Sequence, residues 1–337
     1  MPFPESAAAF MSKQAARLRH SARKRRIVFP EGDDGRVIEA AGRLAREGLL
    51  NPVLIGRASA GAASCVEFID PEASPLAAKY AGFLYGRRRA KGVTQMEAVA
   101  MARSRLHFAA LMVTAGDADG FVGSAVHTTA ETVRAVLQCI DLKPGFRRLS
   151  SVHIIAVHPR QYGTDGLLAF SDAAIIAVPT ATELAEMAIA TAATARALFE
   201  TEPLVAMLSF STKGSAKHKE VDKVVSAIKY IRERAPELNV DGELQADAAL
   251  VPSVGKSKSP GSPVAGAANV LIFPDLNSAN IGYKLVERLG DGALLAVLLQ
   301  GIAKPASLIS RGCSVDDAVN TAILTAVEAE AARAAAV

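Results

Sequence analysis

Tryptophan is absent from this chain of 337 residues, and the other large aromatic residues are few, with 12 Phe and 5 Tyr. Proteins that bind single-stranded nucleic acid stack bases on such rings, so their scarcity argues against that class. No apolar run approaches the length of about 18 residues that a membrane-spanning helix needs. We therefore predict a protein that acts on neither nucleic acid nor membrane.

Cysteine is also scarce. Cys65, Cys139 and Cys313 are odd in number and far apart, which fits neither a disulfide framework nor the paired cysteines of a zinc site. The histidines never show the H-E-x-x-H spacing of a metalloprotease. We expect a reducing, cytoplasmic location and no metal.

The residues that are present indicate a folded enzyme-sized protein. Hydrophobic residues make up 50% of the chain and charged residues 21%, and the length favours two domains or one large one. The net charge of +4 is small, and much of the basic excess lies in residues 13–26 and 87–91. A basic surface of this local kind suits an anionic small molecule as well as a nucleic acid.

Short apolar strands alternate with amphipathic helical segments. Residues 26–35, RIVFPEGDDG, read as a strand entering a turn, and a helix at 36–47 and a strand at 51–55 follow. Such alternation predicts an α/β fold with parallel strands covered by helices. The pattern starts again near residue 151. Further strands are predicted at 109–114, 152–157, 173–178, 205–208 and 270–273, and residues 256–263 read as a mobile, linker-like loop.

Residues 305–320, PASLISRGCSVDDAVN, concentrate reactive side chains. A hydroxyl, a guanidinium, a glycine and two carboxylates lie within eight residues: Ser310, Arg311, Gly312, Asp316 and Asp317. Gly312 can adopt positive φ without steric cost, which would place Ser310 on a sharp bend. Ser314 or Asp316 can cap the helix that follows. Taken alone, this motif favours a strand, a glycine turn and a capped helix over a catalytic site.

A second polar stretch follows the segment 109–114. Thr128 or Thr129 begins a helix, and Arg134 lies one to two turns inside it. Free N–H groups at such a helix start, beside two hydroxyls, form a phosphate or carboxylate site. His127 is a catalytic candidate, but a lone histidine beside a cap is more often a structural hydrogen-bond donor. The helix predicted at 76–91 ends in a basic cluster that contains Arg88.

Several nucleotide and hydrolase motifs are missing. Gly255-Lys256-Ser257 lacks the glycine five residues earlier that a P-loop requires, and no G-x-G-x-x-G follows the first strand. Ser310 does not lie in a G-x-S-x-G turn. A dehydrogenase, a P-loop enzyme and an α/β-hydrolase are therefore all disfavoured.

Five blocks of the sequence resemble the phosphate acetyltransferase (phosphotransacetylase) family, among the phosphate acetyl/butyryltransferases, in its short stand-alone form. The blocks are RIVFPEGDDGR at 26–36, GFVGSAVHTTAETVRAVLQ at 120–138, MLSFSTKGSA at 207–216, SPVAGAANVLIFPDLNSANIGYK at 262–284 and LISRGCSVDDAVN at 308–320. The resemblance implies reversible acetyl transfer between CoA and orthophosphate in acetate metabolism, with CoA as substrate and no cofactor or metal.

The resemblance also implies an architecture. It predicts two α/β domains with mostly parallel sheets, like those of isocitrate and isopropylmalate dehydrogenases, with the active cleft between them and a homodimer as the assembly. Residues 1–145 and 298–337 would form domain I, and residues 146–297 an inserted domain II.

Carried over residue by residue, the resemblance implies a catalytic set of Asp317, Ser310 and Arg311. Asp317 would be the general base, Ser310 the oxyanion donor, and Arg311 a phosphate ligand. The predicted substrate-binding residues are Arg88, Arg134, Thr128, Thr129 and Asn280. Asp316 is the rival base, although its role as a helix cap is favoured, and Cys313 is interpreted as structural. Alternatives are a phosphate butyryl- or propionyltransferase and a non-catalytic acyl-CoA-sensing domain.

Overall fold

Strands and helices alternate along most of the chain in the computed structural model, which describes residues 4–58 and 63–334. The strands are β1 (Arg26–Phe29), β2 (Asn51–Ile55), β3 (Glu67–Ile69), β4 (Gly120–Gly123), β5 (Ser150–Ala156), β6 (Leu167–Ser171), β7 (Val205–Leu208), β8 (Val240–Leu244), β9 (Val270–Ile272), β10 (Ala293–Gln300) and β11 (Ala306–Leu308). The helices are α1 (Glu5–His20), α2 (Gly35–Arg46), α3 (Leu76–Arg88), α4 (Gln95–Arg103), α5 (Arg105–Ala115), α6 (Thr129–Cys139), α7 (Ala181–Phe199), α8 (Lys219–Arg234), α9 (Ala246–Leu250), α10 (Pro252–Lys258), α11 (Leu276–Leu289) and α12 (Val315–Ala334).

The described chain divides into two compact units. The N-terminal unit contains Met11–Lys143 and residues 302–334, and the central unit contains residues 4–10 and Pro144–Gly301. Strands of the N-terminal unit run in the order β3-β2-β1-β4-β11, and all their pairings are parallel. In the central unit the order is β10-β5-β6-β9-β7-β8, with the first two pairings antiparallel and the others parallel. The predicted α/β fold with mostly parallel strands is confirmed.

The parallel strands of the N-terminal unit are short and apolar on both faces. Ile27, Val28 and Phe29 of β1 are all completely buried, as are Phe121 and Val122 of β4. Consecutive buried residues are typical of parallel strands that helices cover on both sides. Each such side chain stabilises the fold by about 1.5–3 kcal/mol relative to its exposed state. The sheet is therefore a rigid base for the loops at its edges.

The strand predicted at residues 109–114 is wrong, because this segment lies within helix α5. Residues 108–113 are all buried, so the helix shows no polar face in its sequence. A helix that is apolar on every side cannot be told from a buried strand by periodicity.

Residues 173–178 do not form the predicted strand either, because β6 ends before them at Ser171. The carboxylate of Asp172 accepts hydrogen bonds from the N–H groups of Ala174 (3.1 Å), Ile175 (3.2 Å) and Ile176 (2.8 Å). A short polar side chain that satisfies neighbouring backbone groups in this way favours a turn.

Residues 256–263, predicted to be a linker-like loop, begin inside helix α10, which extends to Lys258.

Within the residues described, no helix is both long and apolar enough to cross a membrane.

Candidate active site

Three adjacent strands of the N-terminal unit end at one edge of its sheet. Because β1, β4 and β11 are parallel neighbours, the residues that follow them emerge side by side. The N–H of Ile309 donates to the carbonyl of Gly123 at 2.8 Å, which extends the pairing one residue beyond β11. In open α/β sheets, ligands bind at the carboxyl ends of the strands. This edge carries Glu31 after β1, Ser124 after β4 and Ser310 after β11.

Ser310 and Arg311 lie on an exposed turn that follows β11. The N–H of Cys313 donates to the carbonyl of Ser310 at 3.0 Å and closes the turn. The φ of Gly312 lies outside the left-handed region, so the predicted use of positive φ at this residue is wrong. Within the described residues, the Ser310 hydroxyl and the Arg311 guanidinium make no hydrogen bond. Both groups are available to a ligand.

Helix α12 begins with a reciprocal pair of hydrogen bonds. The N–H of Ser314 donates to Asp317 Oδ2 at 2.8 Å, and the N–H of Asp317 donates to Ser314 Oγ at 3.1 Å. This is the geometry of a capping box. Asp316 instead pairs with Arg43, whose Nη1 lies 2.5 Å from Asp316 Oδ1. The predicted cap role of Asp316 is therefore wrong: Ser314 caps the helix, and Asp317 completes the cap with one carboxylate oxygen.

Cys313 lies beneath the turn and is 5% exposed. Burial raises the pKa of its thiol. A buried thiol with a raised pKa forms little thiolate, and the thiolate is the reactive species. This environment supports the interpretation of Cys313 as structural.

The guanidinium of Arg36 braces the turn against the segment that enters α6. Its Nη1 donates to the carbonyls of Arg311 (2.8 Å) and Cys313 (3.0 Å), and its Nη2 donates to the carbonyl of Ala125 (3.0 Å). Asp34 holds the other edge of the guanidinium with both carboxylate oxygens, at 3.0 and 2.8 Å. This pairing holds the pKa of Asp34 below its usual value. One side chain thus fixes two loops at the same edge of the sheet.

The carboxylate of Glu31 organises the segment after β4. Glu31 is 1% exposed. Its Oε1 accepts hydrogen bonds from the backbone N–H of Ser124 (3.0 Å) and from Nδ1 of His127 (2.9 Å). Ser124 adopts a φ of 85°, which is uncommon for a residue other than glycine. The buried carboxylate therefore stabilises an otherwise unfavourable backbone conformation.

A pocket of about 220 Å³ opens beside the start of α6. Its lining combines cationic and imidazole side chains with a few polar and apolar ones: Ser104, Arg105, Leu106, His107, His127, Glu131, Arg134, Ala135 and Gln138. Arg134 has no ion pair among the described residues, whereas Nη1 of Arg105 lies 2.5 Å from Asp33 Oδ1. The pocket has the size and charge to hold a phosphate group.

Thr128 is the N-cap of α6, as predicted. Its Oγ1 accepts from the N–H of Glu131 at 3.2 Å, and its own N–H and hydroxyl donate to Glu131 Oε2. These bonds lower the pKa of Glu131 and occupy the Thr128 side chain. Thr129 is exposed, and its hydroxyl has no partner within the described chain. Of the two threonines, Thr129 is the one free to bind a ligand.

Arg88 is the last residue of α3 and lies close to the pocket wall. Its Nε is buried and has no hydrogen-bond partner among the described residues. Burial, and to a smaller extent the positive charge of Arg88, lower the pKa of His107, which lines the pocket. Arg87, by contrast, forms an ion pair with Asp141. A buried N–H group without a hydrogen-bond partner costs free energy, so the guanidinium of Arg88 favours an anionic ligand.

A family model described as phosphate acetyl/butaryl transferase matches residues 10–326. The chain belongs to this family. It is 44% identical over 314 residues to the phosphate acetyltransferase of Thermoanaerobacterium thermosaccharolyticum, covering 91% of this chain and 96% of that protein. It is 42% identical to the phosphate acetyltransferase of Bacillus subtilis, covering 90% and 94%. A phosphotransacetylase structure from Streptococcus pyogenes superposes with a TM-score of 0.89 at 41% identity, covering 96% and 99% of the two chains.

The predicted family is therefore confirmed, while the predicted site residues stay predictions. The N-terminal unit contains all of them except one. Asn280 belongs to the central unit, where it lies on α11 and donates from Nδ2 to the carbonyl of Ala173 at 3.1 Å.

The sequence did not point to four residues of this site, namely Glu31, Arg36, Arg105 and His107. Glu31 and Arg36 lie in the block at 26–36, where Glu31 reads as part of a turn and Arg36 as the start of a helix. For Glu31, the position directly after a β-strand, at the carboxyl edge of a parallel sheet, was the available signal. Arg105 and His107 begin α5, beside the segment that was misread as a strand.

Replacement of Arg36 by Gln should loosen the turn that carries Ser310, because three carbonyls lose their charged donor. Hydrogen bonds from charged groups contribute about 1.5–3 kcal/mol, so local opening should become about tenfold or more frequent. Trypsin cleaves after arginine, and mass spectrometry of limited digests measures the peptide that ends at Arg311. Arg46→Gln, the same change on an exposed residue of α2, is the matched control. Equal cleavage after Arg311 in both variants would contradict the brace.

Proposed function

We propose that this chain is a phosphate acetyltransferase that interconverts acetyl-CoA plus orthophosphate with acetyl phosphate plus CoA. The observation that carries the proposal is the turn after β11, where the Ser310 hydroxyl and the Arg311 guanidinium have no hydrogen-bond partner among the described residues and Asp317 follows in the first turn of α12. Arg36 connects this turn to the segment that leads into the cationic pocket. Relatives that are 42–44% identical over most of their length carry the name of this activity.

Asp317 is the general base in this proposal. A CoA thiol resembles a free cysteine, with a pKa of about 8.5, and must lose its proton before it attacks a carbonyl. Asp317 Oδ2 accepts from the N–H of Ser314, which holds the carboxylate in one orientation. Oδ1 makes no hydrogen bond within the described chain and is free to accept the thiol proton. The capping box thus supports the base by positioning it.

The remaining groups act on the acetyl phosphate. The thiolate forms a C–S bond at the acetyl carbonyl carbon, and the Ser310 hydroxyl donates to the oxyanion that develops. The C–O bond to phosphate then breaks, and phosphate leaves with the proton that Asp317 had taken from the thiol. Arg311 and Arg134 hold phosphate oxygens by paired N–H groups, a geometry that lysine lacks. The transfer is direct, without an acetyl-enzyme.

The reaction in this proposal uses CoA as a substrate, needs no metal or cofactor, and takes place in the cytoplasm. All three cysteines are free, with Cys139 and Cys313 buried, which supports a reducing compartment. Activity that is lost on dialysis against a chelator and restored by a divalent metal would contradict the absence of a metal.

The activity is tested by mixing the purified protein with acetyl phosphate and CoA and following the ultraviolet absorbance of the thioester that forms. We expect turnover within the usual enzyme range of about 1–1000 per second. Propionyl and butyryl phosphates tested alongside measure the acyl preference. Folded protein that turns over none of these acyl phosphates would refute the proposal, and a preference for butyryl phosphate would reassign the substrate.

Two substitutions should separate chemistry from binding. Asp317→Asn keeps an oxygen for the Ser314 N–H but removes the base, so kcat should fall by about 100- to 10000-fold with little change in KM. Arg134→Gln removes a cation from the pocket and should mainly raise KM, by about tenfold. Steady-state kinetics on both substrates measures the two effects. The reverse pattern would overturn the assignment of these roles.

We also propose that the protein is a homodimer. Ile281, Leu285 and Leu289 lie four residues apart on α11 and are 58, 52 and 80% exposed, which supports an apolar contact with a second copy. Sedimentation equilibrium of the wild-type chain should give twice the monomer mass, and Leu285→Glu should shift the protein toward monomer. Met96→Glu, at an exposed apolar residue of the N-terminal unit, should not. A monomeric wild-type protein would refute the dimer.

A further inference from the structure

His127 has one ring nitrogen committed to a buried carboxylate. Glu31 Oε1 lies 2.9 Å from His127 Nδ1 and also faces the backbone N–H groups of Ser124, Val126 and His127 at 3.0–3.4 Å. An oxygen that accepts from several N–H groups carries no proton of its own, so Nδ1 must be the donor. The tautomer of the imidazole is therefore fixed by Glu31.

The other nitrogen of the ring faces a different environment. His127 lines the 220 Å³ pocket together with Arg105 and Arg134. Its side chain is 34% exposed, and Nε2 has no hydrogen-bond partner among the described residues. With Nδ1 held by Glu31, Nε2 is the polar atom that the ring presents to a ligand.

The surroundings of Glu31 favour its hydrogen bond with Nδ1 of His127. Its side chain is 2% exposed, and its second oxygen, Oε2, is buried without a hydrogen-bond partner in the described chain. Arg36 is the other cation whose charge acts on Glu31, but its side-chain hydrogen bonds go to Asp34 and to three backbone carbonyls, which leaves the Glu31 carboxylate to the imidazole and the nearby N–H groups. Glu131 also lines the pocket, but its carboxylate is occupied by Thr128 in the helix cap.

We propose that His127 is a substrate-binding residue whose Nε2 accepts a hydrogen bond from the P–OH of a monoprotonated phosphate group in the pocket, and that Glu31 is its positioning residue. The inference rests on the proposed function for the identity of the ligand, which is the phosphate of acetyl phosphate or a phosphate of CoA. The two sources share the same chemistry at Nε2, and the binding measurements below distinguish them. Arg134 supplies charge to the same group, while His127 supplies a hydrogen bond of fixed direction.

The central test replaces His127 by Phe, which keeps a planar ring but removes both nitrogens. Isothermal titration with inorganic phosphate, CoA and 3′-dephospho-CoA should show binding weakened about tenfold, equivalent to about 1.4 kcal/mol, for the ligand whose phosphate Nε2 contacts. In steady-state kinetics of His127→Phe, KM should rise by a larger factor than kcat falls. His20→Phe, on a histidine outside the site, is the matched control and should bind as the wild type does. An effect on inorganic phosphate alone identifies the acyl-phosphate group, and an effect on CoA alone identifies its phosphates.

Glu31 is tested by rescue and by spectroscopy. Glu31→Gln keeps an acceptor for Nδ1–H and should retain binding within about threefold, whereas Glu31→Leu should weaken it as much as His127→Phe does. The double variant Glu31→Leu with His127→Phe should bind no worse than either single one, because both remove the same contact. In the wild type, the imidazole ¹⁵N signal of Nε2 should shift on phosphate binding while that of Nδ1 stays in place.

The outcomes separate this inference from the proposed function. The role of His127 is refuted if His127→Phe binds all three ligands like the wild type, or if the ¹⁵N signal of Nε2 does not shift when phosphate is added. This conclusion holds whether or not the protein transfers acetyl groups. If the wild type binds phosphate through His127 but transfers no acetyl group, the proposed function fails and the assignment of His127 stands. Should Glu31→Leu fail to fold, the His127→Phe and spectroscopic measurements still decide.

Discussion

Parallel pairing of β1, β4 and β11 is the constraint on which the site depends. Parallel strands must end at the same edge of their sheet, so three segments that are far apart in sequence leave the N-terminal unit side by side. Each segment begins with polar residues because the apolar strands end there. Two charged side chains, Glu31 and Arg36, then fix the conformation of these segments, because each forms hydrogen bonds with several of their backbone groups. The loops that carry the candidate site residues are thus held at the edge of a rigid sheet by hydrogen bonds from charged side chains.

The distribution of ion pairs within the N-terminal unit separates structural cations from those available to a ligand. Arg36, Arg43 and Arg105 are paired with Asp34, Asp316 and Asp33. Arg88, Arg134 and Arg311 have no such partner among the described residues. Because an anionic substrate competes with any protein carboxylate for a guanidinium, the unpaired arginines are the ones that can bind it strongly. The three are also the arginines that the family resemblance selects.

The acidic pair in the block at 308–320 shows how far sequence reasoning reaches. Neighbouring carboxylates at the start of a helix have the same local chemistry, and either suits a cap or a base. The structure distinguishes them by one distant contact and one local contact: Arg43 of α2 pairs with Asp316, and the N–H of Ser314, three residues away, donates to one oxygen of Asp317. The histidine at the start of α6 is a similar case. Only the approach of Glu31, 96 residues away, fixes which nitrogen of His127 faces the pocket.

By itself, the sequence determined the α/β class, most of the helices and strands, the family and the candidate site residues. These follow from local properties: apolar periodicity, capping residues, and motifs whose residues are close together in the chain. Only the tertiary structure decided that residues 109–114 are helical, that Gly312 does not need positive φ, and that Arg36 and Glu31 organise the site. Those features depend on burial and on hydrogen bonds between segments as many as 277 residues apart, and a local pattern contains no information on which distant groups will meet.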